Sequence, residues 1–157
     1  LKWPEQRRVF GMIPGLENAE FIRFGVMHKN TYLNSPQLLD KHFNLRNNKR
    51  FYFAGQMTGV EGYVESAASG LMAGLAAARA VLELPEVEFP DVTAHGALAN
   101  YISNPAIENF QPMNINFGLI PPLTVRIRKK REKNAQIAAR ALEALDGFLP
   151  ALKTEQA

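Results

Sequence analysis

The rhythm of apolar and polar positions changes several times along the chain, and each change predicts a different element. "EFIRFGVM", residues 20–27, alternates and is rich in Phe, Ile and Val, which predicts a strand. The polar stretch "HKNTYLNSP", residues 28–36, predicts a loop ending at Pro36. Leu38, Leu39, Phe43 and Leu45 then suit a short helix or irregular segment running into the turn-prone pair Asn47-Asn48. "FYFAG", residues 51–55, is a continuous apolar run closed by glycine, as in an interior strand of a parallel sheet. A helix is predicted to follow, starting between Thr58 and Tyr63 and reaching about Leu82, where Pro85 and Pro90 stop it. Its start is ambiguous. Thr58-x-x-Glu61 spells a capping box, while Glu61 and Glu65 both suit the positive end of a helix dipole.

Beyond Pro90 the character changes, dividing the chain into residues 1–84 and 85–157. Thr93 is placed to cap a helix over about 94–103, closed by Asn104-Pro105. Residues 108–123 hold Pro112, Pro121, Pro122 and three asparagines, which predicts an ordered loop with Phe110 and Phe117 as anchors. A last helix, about Thr124 to Asp146, places Leu123, Ile127, Ala138, Ala141, Leu142 and Leu145 near one face, with Gly147 as its stop.

The stretch "FYFAGQMTGVEGYVESAASG", residues 51–70, carries the strongest chemical signal. A strand, a glycine turn and a helix start bring unpaired N–H groups together at a point carrying about half a positive charge. Gly55, Gly59 and Gly62 allow close approach of main chain or positive φ. Gly70 and Gly74, which cost roughly 1 kcal/mol each against alanine within a helix, imply a tight neighbour. The spacing matches neither the phosphate loop G-x-x-x-x-G-K-[ST] nor the dinucleotide fingerprint G-x-G-x-x-G. Spacing alone leaves open a helix packed on a sheet with no ligand at its start.

Composition narrows the chemistry. The 157 residues suffice for one domain, or one with an appendage. The absence of cysteine excludes disulfides, thiolate metal sites and thiol nucleophiles in this chain, and no residue stands out as a metal ligand or catalytic group. The balance of 18 Lys plus Arg against 15 Asp plus Glu is mildly basic, so a nucleic-acid argument rests on where the charge lies. It concentrates in "RIRKKREK", residues 126–133, where Arg126, Lys129, Lys130 and Lys133 best avoid the apolar face. Nothing resembles a signal peptide, and the apolar run from Ala67 to Leu82 is broken by Arg79, so a soluble cytoplasmic protein without a membrane span is expected. The opening "LKWPEQRRVF", without an initiating Met, reads as part of a longer chain.

Three stretches carry a resemblance: "FAGQMTGVEGYVESAASGLMAGLAAARA" at 53–80, "RVFGMIPGLENAEFIRFGVMHKNTYLNSP" at 8–36 and "NFQPMNINFGLIPP" at 109–122. Together they resemble the C-terminal part of the TrmFO family, folate- and FAD-dependent tRNA uracil-5-methyltransferases of bacteria. The resemblance implies an α/β fold, the C-terminal part of a Rossmann-like, glutathione-reductase-type FAD-binding domain followed by C-terminal helices. It implies that Gly55, Gln56, Met57, Thr58, Gly59, Gly62 and Tyr63 line FAD. His28, Asn30 and Tyr32 would line the active-site cavity, and the basic strip would meet tRNA by shape and phosphate contacts. Methylenetetrahydrofolate would supply the carbon, reduced flavin the electrons, and NAD(P)H would regenerate the flavin. The family's pyrophosphate motif and proposed cysteine nucleophile lie upstream of the matching region. This chain would therefore be about the last third of the enzyme, partnered by the N-terminal part of the same polypeptide, and inactive alone. A GidA-type wobble-uridine flavoprotein, whose comparable segment reads nearer to "GQINGTTGYEEAAAQG", is the nearest rival. A non-catalytic RNA-binding α/β module and an α/β domain using no ligand are others.

Overall fold

The computed structural model describes residues 1–25 and 30–153. It has five helices and one two-stranded sheet, an α/β composition, and divides into two compact units, Leu1–Asn30 and Thr31–Ala157.

The first unit contains α1 (Trp3–Phe10), entered through Pro4, whose missing N–H costs nothing in a first turn. The predicted strand at 20–27 is not one over its described residues, since 20–25 are bends and coil. Two local forces replace the ladder. Phe21 and Phe24 stack on each other at 5.3 Å, Phe24 stacks on Trp3 at 6.0 Å, and Phe21 lies tilted against Phe10 at 6.0 Å. The buried Gln6 amide accepts from the Gly25 N–H at 2.9 Å and donates to the Gly25 and Leu1 carbonyls at 2.7 and 2.8 Å. A side-chain amide has taken the place of a neighbouring strand.

In the second unit, α2 (Ser35–Leu38) is a single turn leading into β1 (Asn44–Leu45) and β2 (Asn48–Tyr52). This corrects the interior parallel strand expected at 51–55. The pairing is an antiparallel hairpin across Arg46-Asn47, with an irregularity at Asn44/Leu45, and Phe51 is 54% exposed. Within the described residues β1 is the only strand paired with β2, so β2 is not an interior strand there. A 3-10 turn at Gly55–Thr58 follows, then α3 (Tyr63–Val81).

Helix α3 starts at the late end of the expected range, because Thr58 turns inward and donates to the Gly55 carbonyl at 2.7 Å instead of capping. It stops before the prolines. Glu83 takes φ +55, and the Leu84 and Glu83 amides return to the Arg79 and Ala80 carbonyls, a Schellman closure with glutamate in the left-handed position. Buried Arg79 seals that end by donating to the Pro85 carbonyl at 2.7 Å. Residues 85–92 are strapped to the hairpin region by Lys41–Glu88 at 3.0 Å and by the His42 ring, 3.7 Å from Glu86 and 3.9 Å from Asp40. Helix α4 (Ala94–Ser103) forms as expected, with Thr93 Oγ1 accepting from the Gly96 N–H.

The core joins Leu39, Phe43, Val60, Met72, Leu98, Ile102 and Phe110. It is built by α3, α4 and the loop at 108–123, which has no regular structure as expected. Phe110 is buried there, while Phe117 is 47% exposed.

Helix α5 (Lys130–Leu152) departs from expectation at both ends. It starts six residues late, which leaves the cations at 126, 128, 129, 130, 131 and 133 before or at the positive end of its dipole, with Glu132 the only acid in the first turn. Of the predicted face, Ala141 and Leu145 are partly covered. Ile137 is the buried residue, whereas Leu142 is 64% exposed and Ala138 is also outside. Gly147 does not stop the helix, which runs on to bring Phe148 against Phe89 with ring centroids 4.7 Å apart.

Candidate functional site

The bend between β2 and α3 carries positive φ at Gly55, Gly59 and Gly62, at +67°, +83° and +94°. L-residues reach this region at a cost of roughly 1–2 kcal/mol, so glycine is demanded by backbone shape. Packing adds to the demand. A β-carbon on Gly59 would meet the Phe110 ring, and one on Gly62 would meet the Glu65 carboxylate and lie 2.7 Å from Asn114 Nδ2.

Three amides of the bend are already partnered. Gly55 N–H donates to Ser69 Oγ at 2.8 Å, Gly59 to the Gln56 carbonyl and Glu61 to the Met113 carbonyl, both at 3.0 Å. The last of these belongs to a short parallel bridge between Val60 and Met113, which ties the bend to the loop at 108–123. The amides of Tyr63, Val64 and Glu65, in the first turn of α3, have no acceptor among the described residues, and Gly62 offers no side chain to cap them. The helix start is therefore an electropositive point.

A cleft of about 350 Å³ opens there, lined by Gln56, Glu61, Gly62, Tyr63, Ser66 and Asn114. Tyr63 is 98% exposed at its mouth. Of the seven positions expected to line a cofactor, Gln56, Gly62 and Tyr63 face this cleft. Gly55 and Met57 do not line it. Thr58 and Gly59 are buried, with Thr58 wholly enclosed. Glu61, Ser66 and Asn114 join the site without having been singled out for it. Asn114 falls within the third matching stretch, which was the signal available for it.

The cleft selects by charge. Glu61 and Glu65 place two carboxylates at or beside its wall, so a phosphate would be repelled. A flat, uncharged ring system with a polar edge suits open amides, a free phenol ring and an amide side chain such as Asn114. Isoalloxazine has that chemistry. The residues present fit the ring of a flavin and not its pyrophosphate.

Tyr32 lies within reach of the same bend through Phe110, edge-on to it with centroids 6.0 Å apart, and the neighbouring Leu33 N–H donates to the Met57 carbonyl at 2.8 Å. Asn30 belongs to the first compact unit, and His28 lies outside the described residues. Arg126, Lys129, Lys130 and Lys133 are all exposed and form no ion pair among the described residues. Lys129 occupies the N-cap of α5, Lys130 and Lys133 its first turn, and Arg126 the segment before it. Arg140, which the sequence did not single out, holds that segment in place. Its guanidinium donates to the Pro122 carbonyl at 3.0 Å and to the Pro121 carbonyl. No three His, Asp or Glu side chains stand together as a metal site among the described residues.

A family model described as glucose inhibited division protein A matches residues 1–85. The chain belongs to that family. A Desulfitobacterium hafniense protein named methylenetetrahydrofolate–tRNA-(uracil-5-)-methyltransferase TrmFO is 60% identical over 148 residues, covering 94% of this chain and 34% of its own length. Proteins of the same name from Streptococcus agalactiae and Acetivibrio thermocellus are 61% and 56% identical, each covering 95% of this chain and 34% of their own length. The resemblance to the TrmFO family is thus borne out. The chain spans about a third of the length of these relatives.

Proposed function

We propose that this chain is part of a flavoenzyme that methylates uridine in the T loop of tRNA, taking the carbon from methylenetetrahydrofolate. The observation that carries the reading is the cleft at the start of α3, whose open amides and exposed Tyr63 suit a flavin ring, in a chain whose relatives bear a folate-dependent tRNA methyltransferase name. FAD would supply the electrons that reduce the transferred carbon to a methyl group, with NAD(P)H restoring them.

The chain's own residues have limited tasks. Gln56, Gly62, Tyr63 and Asn114 would hold and orient the ring, and the first-turn amides of α3 would donate hydrogen bonds to its polar edge. Tyr32, behind Phe110, would fix the bend's position. Asn30 and His28 are proposed as substrate-side residues on the resemblance alone. The cations at 126, 129, 130 and 133 would contact tRNA phosphates. The pyrophosphate site and the nucleophile would come from the N-terminal part of the polypeptide, in a Rossmann-like domain of glutathione-reductase type, working in the cytoplasm. The 157 residues alone would be inactive.

The full-length protein, given labelled methylenetetrahydrofolate, NAD(P)H and a tRNA transcript, should place label on a T-loop uridine, and Gly62→Val should lower its flavin content. Label reaching no uridine would sink the activity. Undiminished flavin in the variant would remove the cleft from the cofactor site.

A further inference from the structure

Helix α3 has two apolar faces, and only one is covered. Its inner face buries Ser69, Met72, Ala73 and Arg79. On the other side Val64, Ala67, Leu71, Gly74, Ala78 and Val81 are all exposed, with Val64, Leu71 and Val81 at 80%, 66% and 83%. Their spacing is three, four, three, four, three, the narrow stripe by which one helix seats against another. Neither Gly70 nor Gly74 has a neighbour within 4 Å of where a β-carbon would stand, so main chain is open to close approach there.

The stripe carries no charge. Between residues 63 and 82 the ionisable side chains are Tyr63, Glu65 and Arg79, and Arg79 is buried. A face of that composition does not recognise nucleic acid, which needs cations. Among the described residues no helix is long and apolar enough to cross a membrane. A helix apolar on all sides belongs in an interior. Its relatives are about three times the length of this chain, so each has ample further polypeptide to cover the stripe.

We infer that the outer face of α3 is a helix-docking seam, filled in the full-length protein by an uncharged helix from another part of the same polypeptide and crossing closest at Gly70 and Gly74. This deepens the reading of the chain as part of a longer enzyme and is independent of flavin binding. The seam also explains why two glycines persist in a helix where alanine would be more stable.

A photoreactive diazirine residue in place of Leu71, and separately of Ala78, in the full-length protein tests it. Each should cross-link within its own polypeptide to residues outside these 157, with the two sites about seven residues apart, as two helices lying side by side require. Cross-links only between copies, only within the 157 residues, or none, would overturn it. Hydroxyl-radical oxidation of the unsubstituted protein is a second measure. Leu71 should react at least about tenfold more slowly in the native protein than in the urea-unfolded one, at every protein concentration. Rates close to the unfolded value, or protection lost on dilution, would also overturn it. Flavin absorbance followed in the same samples keeps this outcome separate from that of the cofactor site.

Discussion

The ring of Phe110 fills the space where a β-carbon on Gly59 would stand, with Cε1 at 2.6 Å from that point. Phe110 is buried and packed against Tyr32 and Tyr101, so it cannot swing aside as a lysine tip would. Gly59→Ala therefore adds a clash to the strain of φ +83, for a loss of about 2–4 kcal/mol in denaturant unfolding. In a Phe110→Ala background the same change should cost only the backbone share, about 1–2 kcal/mol. Equal costs in both backgrounds would show that the ring is not the obstacle.

The basic strip makes a prediction with two signs. Lys129→Glu, Lys130→Glu and Lys133→Glu place acids at the N-cap and first turn of α5, where cations oppose the dipole. Each should favour the helix by about 0.3–1 kcal/mol. The same triple variant should bind tRNA more weakly, with a shallower salt dependence, by roughly 0.7–0.9 log units per log unit of salt for each phosphate no longer neutralised. Thermal unfolding and tRNA binding over a salt series read the two effects separately. Affinity unchanged at low salt would take the strip out of the interface.

Elements set by neighbours in sequence were legible, and those set by distant partners were not. Thr93 caps α4 from three residues away, and the small-residue rhythm of 63–81 specifies α3 wherever it lies. The apolar run at 51–55 says "buried strand" but not which strand lies beside it. The 20–25 segment looks like a strand because nothing local reveals that Gln6 holds Gly25. In α5 the side that meets the rest of the fold is set by distant packing: Ala141 and Leu145 lie on it as read, but it centres on Ile137 and leaves Leu142 outside. The site divides similarly. Gln56, Gly62 and Tyr63 were named through the resemblance, while the bend's own spacing singled out only its glycines. Asn114 reaches the cleft only because the Val60–Met113 bridge folds a remote loop against it. Thr58 spells a cap and is instead a buried brace.

His95 lends the fold a pH dependence. It is half-buried and stacked on Phe89 at 5.0 Å, and burial holds its pKa below the ordinary 6.5. The unfolded chain takes up this proton first as pH falls. Stability contributed by the neutral ring is complete above about pH 6.5 and is lost as pH drops through the lowered folded value. Urea midpoints measured from about pH 8 down to about pH 5 should fall more steeply for the native sequence than for His95→Phe. Parallel slopes would remove His95 as the cause.

Gln6 is the residue on which the first compact unit turns. Its amide makes three hydrogen bonds, two of them a reciprocal pair with the Gly25 main chain. Gln6→Ala removes all three and should cost about 1–3 kcal/mol locally. Gln6→Glu keeps the size but sets carboxylate oxygens against the Leu1 and Gly25 carbonyls, so it should be at least as damaging despite being nearly isosteric. Arg23, exposed inside the held segment, supplies the readout. Trypsin cleavage after Arg23 follows the population in which 21–25 has opened, and each 1.4 kcal/mol lost should speed it about tenfold. An unaltered cleavage rate in both variants would mean that the packed rings of Trp3, Phe10, Phe21 and Phe24 hold the segment without the amide.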